Sequence, residues 1–310
     1  MNKPGDNNLS LAGFIITLTG AILFSTKAII IKLAFAHTPV DALTLLTLRM
    51  LFSLPFYLVA AWIGSNNKTR AKFSRKQWTT IISLGLFGYY LSSLFDFTGL
   101  QYISAGLERL ILFLYPTFAV LINAFVFKEK VSRIQQWALL LTYACIAMAY
   151  IGELKVGNGN TNFYLGSFLI FLCAVTYAAY IVGSGRIIPQ VGATKFTAYA
   201  MLSATAGIFI HFSLTGNIKN LQHAGSYWWY GLILALIATV IPTFLISIGM
   251  KKIGSNNVAI ISGIGPVATI VQANFILGEK IFMAQIIGTI LVVAGVLLIG
   301  SKTRKNLEPT

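Results

Sequence analysis

Charged side chains are scarce in this chain. Of its 310 residues only 10% are Asp, Glu, Lys or Arg, and only 8 residues are acidic. An average soluble domain carries about 25% charged residues. A chain of this composition could not cover a water-facing surface of its size.

Groups that bind metals or perform catalysis are also few. The two cysteines, Cys145 and Cys173, fall in apolar runs, and neither has a second Cys or a His at metal-ligand spacing. No glycine loop is followed by Lys and Ser or Thr, which argues against an ATP-driven pump. No cluster of carboxylates or histidines suggests an enzyme. We therefore expect no catalytic residue, no metal and no cofactor.

What the chain has instead is apolar sequence. Hydrophobic residues make up 56% of it, in runs of about 20, the length that crosses about 30 Å of hydrocarbon. We predict an all-α integral membrane protein with ten transmembrane helices. The predicted spans are residues 10–35, 42–63, 79–101, 105–127, 133–152, 163–184, 195–214, 228–249, 256–277 and 281–300. The net charge of +15 lies mostly in loops, without the basic stripe of a nucleic-acid-binding protein.

Lys and Arg are unequally divided between alternating loops. One set holds most of them, including the clusters at 68–76 and 128–133, whereas the other holds only Lys155, Lys219 and Lys280. The positive-inside rule then puts both termini in the cytoplasm. We expect a multi-pass protein of the cytoplasmic membrane, acting as a monomer.

The two halves of the chain resemble each other at a shift of 150 residues. The shift aligns Pro116 with Pro266, and the Glu-Lys pair at 129–130 with the Glu-Lys pair at 279–280. Each half has five predicted spans, an odd number, so the halves would be inserted with opposite orientations. Inverted repeats of this kind are typical of secondary transporters. The predicted repeats are residues 1–153 and 154–310.

Two copies of one pattern carry a resemblance to a known family. The first consists of GLQYISAG at 99–106, Pro116 and FKEK at 127–130; the second consists of GMKKIGS at 249–255, Pro266 and LGEK at 277–280. Over nearly its whole length the chain resembles the EamA family of the drug/metabolite transporter superfamily. The resemblance implies a ten-helix fold with a cavity lined by spans 1, 3, 4, 6, 8 and 9. It also implies export or exchange of small metabolites by alternating access.

Ionisable residues inside a bilayer cost several kcal/mol by most estimates, so they usually mark a function or a buried pair. All those well inside the predicted spans belong to the first repeat. They are Lys27, Lys32, Arg49, Asp96, Glu108 and Arg109. A rise of about 1.5 Å per residue puts all of them in the outer half of the membrane. Spans 3 and 4 are joined by a tight outer turn, so Asp96 is placed to meet Arg109 or another cation.

This charged set has two interpretations. It could bind a charged part of the substrate and close an outer gate, and its surplus of cations would then favour a carboxylate or phosphate. It could instead be a set of salt bridges that fixes spans 1 to 4 together, and for Lys32 we favour a structural role near the interface. Asp96 and Glu108 are the only acidic groups available for proton coupling. Coupling to a proton or to a counter-substrate is left open.

Polar and aromatic residues recur at helical spacing in spans 3, 4, 6 and 9. Such faces suit a cavity in which rings stack on an organic substrate, although small and aromatic residues also serve helix packing and interface anchoring. The candidate substrate-binding and gating residues are Lys27, Arg49, Tyr89, Ser93, Asp96, Glu108, Arg109, Phe113, Tyr115, Tyr177, Tyr180 and Ser262.

Taken together, these patterns predict a secondary transporter or facilitator. Its substrate would be a small polar or amphipathic metabolite, either amino-acid-like or an organic anion, bound between the two repeats. A lipid scramblase or another non-transport membrane protein is the alternative. Buried charges that line a lipid-facing groove rather than an enclosed site would favour that alternative.

Overall fold

The computed structural model describes residues 11–65, 73–128, 162–216, 227–262 and 264–281, together with residues 225, 283, 286, 287 and 290. Every regular element within these residues is helical. The predicted span 5 lies outside the described residues, as does most of the predicted span 10. The repeat limits at 153 and 154 also lie outside them.

Eleven α-helices are found in the described part of the chain. They are α1 (Leu11–His37), α2 (Ala42–Ser65), α3 (Arg75–Leu84), α4 (Ser92–Gly99), α5 (Ala105–Leu112), α6 (Tyr115–Phe127), α7 (Phe163–Val191), α8 (Ala193–Thr215), α9 (Tyr227–Ala235), α10 (Ile241–Ser262) and α11 (Gly265–Leu277). Seven helical stretches here are long and apolar enough to cross a membrane, and α11 is apolar but shorter. The chain is therefore a multi-pass membrane protein, while the count of ten spans stays a prediction.

The boundary between spans 8 and 9 differs from the prediction. The sequence predicts a loop between residues 249 and 256, but α10 is helical without interruption from Ile241 to Ser262, and the next helix begins at Gly265. Hydropathy marks the stretch 250–255 as a loop, yet this stretch contains one glycine and no proline. The residues that disfavour helix most strongly lie further on, at 263–266 (GIGP).

Two spans contain π-helical segments that the sequence patterns did not predict. One, Gly85–Leu91, joins α3 to α4, and the other, Leu236–Val240, joins α9 to α10. Their central residues, Gly88 and Ala238, are related by the same shift of 150. Such segments occur frequently at functional sites, because they widen the helix and redirect its side chains.

Helix boundaries also repeat at this shift. Helices α6 and α11 have 13 residues each, and each begins one residue before a proline. Each is followed by a residue in the left-handed region, Lys128 with φ 57° and Gly278 with φ 68°. The resemblance between the two stretches is therefore present in backbone conformation as well as in sequence.

Helix α10 packs along α1 in the opposite direction. Close approaches occur between Gly13 and Ile253 near the start of α1, and between Gly20 and Leu245 further along it. A side chain at either glycine would collide with α10, which explains why small residues occupy these positions. Close helix approach through glycine is common in membrane proteins.

Helix α11 then runs along α1 in the same direction as α1. Thr269 Oγ1 donates to the carbonyl oxygen of Ser25 at 3.3 Å. Further along both helices, Lys32 Nζ donates to the carbonyl of Ile103 at 2.9 Å, and Glu279 accepts from amides at the start of α5. The last residues of α6 and α11 therefore lie at opposite ends of span 4.

Candidate substrate site

Two carboxylates share one ammonium group inside the helical bundle. Lys27 Nζ lies 2.7 Å from Asp96 Oδ2 and 3.9 Å from Glu108 Oε1. Asp96 is 1% exposed and Glu108 is not exposed at all. Of the partners that the sequence left open for Asp96, the structure selects Lys27. This cluster joins spans 1, 3 and 4.

Local structure at the turn between spans 3 and 4 holds both carboxylates. Asp96 lies in the last turn of α4, and Glu108 lies in the first turn of α5. Ser104 caps α5, because its Oγ accepts from the Leu107 amide at 3.0 Å. An acidic residue in the first turn of a helix is favoured by the helix dipole.

Glu279 provides a second cap on the same helix. Its carboxylate accepts from the amides of Ala105 at 2.9 Å and Gly106 at 3.2 Å. The four first amides of a helix have no intrahelical partner, so this carboxylate satisfies two of them. Glu279 thereby ties the end of span 9 to the start of span 4.

Arg109 makes no ion pair with either carboxylate in the described part of the chain. Its Nη2 donates to Ser25 Oγ at 3.4 Å, and it contacts Gly265, the first residue of α11. The side chain is nine-tenths buried. The described ion pairs of this cluster both belong to Lys27, so Arg109 contributes a buried positive charge of its own.

Arg49 supplies a further buried cation on span 2. Its Nη2 donates to Ser93 Oγ at 2.9 Å, and its guanidinium carbon lies 4.9 Å from the centre of the Phe97 ring. Both partners belong to span 3: Ser93 precedes Asp96 by three residues, and Phe97 follows it directly. The cluster therefore contains three cationic side chains and two carboxyl groups.

A chain of aromatic rings extends from this cluster. Tyr89 and Tyr180 have ring centres 5.1 Å apart, Tyr177 and Tyr180 are stacked at 6.1 Å, and Tyr115 lies 5.1 Å from Tyr177. Phe113 continues the chain at 5.8 Å from Tyr115. The five aromatic residues proposed from sequence thus form one connected surface between spans 3, 4 and 6.

A crevice of about 350 Å³ lies one helical turn beyond these rings. It is lined by Ala119, Asn123, Ile181, Val182, Gly185 and Arg186. Ala119 follows Tyr115 by four residues and Ile181 follows Tyr177 by four, so in both helices the crevice lies toward the Lys128 end of span 4.

Two other positions that the sequence singled out, Ser262 and Lys32, belong to neither the ion-paired cluster nor the aromatic chain. Ser262 is the last residue of α10 and is partly exposed, three residues before Gly265. Lys32 donates to the carbonyl oxygens of Leu100 at 3.2 Å and Ile103 at 2.9 Å. These carbonyls lie in the turn that follows α4, which supports the structural role expected for Lys32.

Sequence reasoning missed three residues around the cluster. Ser25 accepts a hydrogen bond from Arg109, Thr269 donates to the carbonyl oxygen of Ser25, and Glu279 caps α5. Gly265, which contacts Arg109, belongs to the polar face predicted for span 9. Glu279 carried a signal, since it belongs to the repeated Glu-Lys pair. The two hydroxyl residues carried none, because Ser and Thr are common at helix contacts in membranes.

Residues 11–151 and residues 164–301 each match the EamA-like transporter family. The chain is 31% identical over 285 residues to the uncharacterized transporter YcbK of Bacillus subtilis (strain 168), covering 89% of each chain. It is 21% identical over 282 residues to an uncharacterized transporter of Archaeoglobus fulgidus, covering 90% of this chain and 92% of the relative. A solved crystal structure that is 18% identical superimposes with a TM-score of 0.64, covering 96% of this chain and 99% of that one, and supports the same fold.

Proposed function

The chain belongs to the EamA-like transporter family, and from that premise we propose that it carries a small polar or amphipathic metabolite across the cytoplasmic membrane by alternating access. It would work as an exporter or exchanger, with an amino-acid-like or organic-anion substrate. The inverted arrangement of residues 1–153 and 154–310 is part of this proposal.

The buried charge cluster is the observation that carries the proposal. Placing an ionised group inside a bilayer costs several kcal/mol unless it is paired. Lys27 is paired with Asp96 and approaches Glu108, whereas Arg109 and Arg49 have only neutral groups among their described hydrogen-bond and ring partners. A purely structural network would have no need of buried arginines without a carboxylate in ion-pair contact.

The aromatic chain supports an organic substrate. Tyr89, Tyr115, Tyr177 and Tyr180 provide ring faces together with hydroxyl groups next to the charges. Ligand sites in proteins combine an apolar lining with a few convergent polar groups in this way. In the described conformation both carboxylates and Arg109 are buried, as expected of a closed state between openings to the two faces.

The position of the charges favours a transporter over a scramblase. A scramblase would carry its charged residues on a groove open to lipid. One open groove in the described residues, of about 500 Å³, is lined by Pro55, Phe56, Val59, Ala60, Ile63, Thr194 and Phe244, none of which is charged. The crevice of about 350 Å³ includes one charged residue, Arg186, which does not belong to the buried cluster. The charged cluster lies within the bundle.

Coupling to a proton or to a counter-substrate remains part of the proposal. Asp96 and Glu108 are two carboxylates beside one ammonium, which is the arrangement that could exchange a proton for a substrate charge. A pH-sensitive dye trapped in proteoliposomes distinguishes the two modes. A substrate-dependent change of luminal pH in either direction indicates coupling to protons, whereas transport that requires a trapped counter-substrate and leaves the luminal pH unchanged indicates exchange.

Transport into proteoliposomes tests the proposal. The purified protein is reconstituted and assayed with radiolabelled amino acids and organic acids, with protein-free liposomes as the background. We expect uptake of at least one compound, which Arg109→Gln abolishes and the exposed control Arg75→Gln retains. Normal transport by a folded Arg109→Gln variant, or translocation of fluorescent lipids in place of metabolites, would contradict the proposal.

A further inference from the structure

The guanidinium of Arg109 is incompletely satisfied by the protein. The side chain is 9% exposed, its Nη2 makes a long hydrogen bond of 3.4 Å to Ser25 Oγ, and its Nε has no hydrogen-bond partner. Buried guanidinium groups normally use their donors fully, because an unsatisfied buried donor costs free energy. Arg109 therefore has donor capacity available for another group.

The same guanidinium lies at the start of a helix that begins inside the membrane. A Cβ atom added at Gly265 would come 2.6 Å from Arg109 Nη2. Gly265 is the first residue of α11, and no side chain caps this helix at Ile264. The second residue, Pro266, has no N–H, so this end offers the amides of Gly265 and Val267, which carry partial positive charge and attract anions. Two positive groups thus face the same small space.

Neither carboxylate of the cluster occupies this space. Asp96 and Glu108 are both drawn to Lys27 Nζ. The groups in direct contact with Arg109 are Ser25 and Gly265. The rings of Tyr115 and Tyr177 lie close enough to interact with it electrostatically, as does the carboxyl group of the preceding residue, Glu108, which makes no ion pair with it. A cation beside a helix N-terminus in low dielectric is unfavourable unless an anion joins them.

We propose that Arg109 and the N-terminal end of α11 form a subsite for a single carboxylate of the substrate, with the aromatic chain receiving its apolar part. This inference rests on the proposed function and narrows its substrate class to monocarboxylates that carry an apolar or aromatic group. Among the described residues no carboxylate lies within ion-pair distance of Arg109, so one monoanion neutralises this guanidinium, whereas a phosphate dianion would bring a second negative charge without a partner. A planar carboxylate also matches the paired donors of a guanidinium.

The subsite belongs to one half of the chain only. The position related to Arg109 by the shift of 150 is Ala259. Helix α6, the counterpart of α11, also begins without a side-chain cap. The second half of the chain, however, has Ala259 where the first half has Arg109, so it provides no cation of this kind. One carboxylate per chain is therefore expected.

Ligand-dependent thermal stability of the purified full-length protein tests the subsite, because a ligand that binds only the folded state raises its melting temperature. The probes are 3-phenylpropionate, its neutral isostere 3-phenylpropanamide, and phenyl phosphate. We expect 3-phenylpropionate to raise the melting temperature in a saturable manner. The affinities for the other two probes should be at least about tenfold lower, because the amide loses a charged hydrogen bond and the phosphate brings a charge without a partner. Equal stabilisation by the amide would overturn the subsite, as would no response to 3-phenylpropionate.

Two variants locate the binding. Gly265→Ala displaces the tip of the flexible Arg109 side chain, so the fold is kept while the subsite is filled, and the affinity for 3-phenylpropionate should fall about tenfold or more. Arg109→Lys keeps the charge but loses the paired donors and should weaken binding in the same direction. The matched control is Gly225→Ala, outside the site, where an added Cβ meets nothing within 4 Å. Unchanged affinity in Gly265→Ala would overturn the assignment.

The outcomes separate this inference from the proposed function. Transport of a neutral or cationic metabolite, together with no binding of 3-phenylpropionate, would refute the subsite and leave the transporter proposal intact. Binding of 3-phenylpropionate that depends on Arg109 and Gly265, without transport of any compound, would support the subsite and refute the transporter proposal.

Discussion

Lys27 and Asp96 form an ion pair of 2.7 Å between the first and third spans, and Glu108 approaches the same ammonium at 3.9 Å. Because this one cation serves both carboxylates, Arg109 is left to face Ser25 and the start of α11. The two cations therefore have different roles: Lys27 stabilises the bundle through its ion pairs, and Arg109 is available to bind a ligand.

Replacing Lys27 alone should destabilise the protein more than replacing Lys27 and Asp96 together. Lys27→Met leaves two carboxylates without their cation, and breaking a buried pair costs about 3–5 kcal/mol. Adding Asp96→Asn to Lys27→Met should recover part of that loss, since fewer uncompensated charges remain. Unfolding measured in detergent for both single variants and the double variant checks this. Additive losses would show that the two residues do not interact.

Gly88→Ala should destabilise the fold. A Cβ atom at this position would collide with the Cβ and ring atoms of Tyr180, and these are not the tip of a flexible side chain. Overpacking of this kind costs about 1–3 kcal/mol. Gly185→Ala, where the space is open, should be neutral or stabilising by up to about 1 kcal/mol because Ala favours helix over Gly. The melting temperatures of the two variants, measured in the same detergent, test this prediction. Equal values would contradict the packing of Gly88 against Tyr180.

Glu279→Gln should loosen the start of α5. The carboxylate accepts from the amides of Ala105 and Gly106, and the neutral amide is a weaker acceptor than a carboxylate. Hydrogen–deuterium exchange of the peptide that contains these amides should become about tenfold faster, corresponding to about 1.4 kcal/mol. Lys280→Gln is the matched control, since it changes the neighbouring charge and keeps the carboxylate. Equal exchange rates in the two variants would show that the Glu279 carboxylate does not protect these amides and does not tie span 9 to span 4.

Much of this architecture is visible in the sequence, for reasons that can be stated. Apolar runs reveal spans because the bilayer demands a fixed length of hydrocarbon, and charges within spans are conspicuous because they are costly. Lys27, Asp96, Glu108 and Arg109 could therefore be singled out, as could the related prolines.

The pairings among these residues were not visible. Whether Asp96 meets Lys27 or Arg109 depends on how each helix is rotated, and this rotation is set by contacts such as Gly13 with Ile253 and Gly20 with Leu245 that are distant in sequence. The continuation of α10 beyond residue 249 was missed because hydropathy reports polarity and not backbone preference. The π-helical segments have no sequence pattern that this reasoning uses.

Access to the buried cluster from both faces of the membrane is the most direct test of the account. Ser25, which is 1% exposed and hydrogen-bonded to Arg109, is replaced by cysteine in a protein whose Cys145 and Cys173 are replaced by alanine. A membrane-impermeant thiosulfonate is then applied to right-side-out vesicles and, separately, to inside-out vesicles. Alternating access predicts modification of Ser25→Cys in both preparations, and slower modification when 3-phenylpropionate is present. Modification from one face only would contradict it.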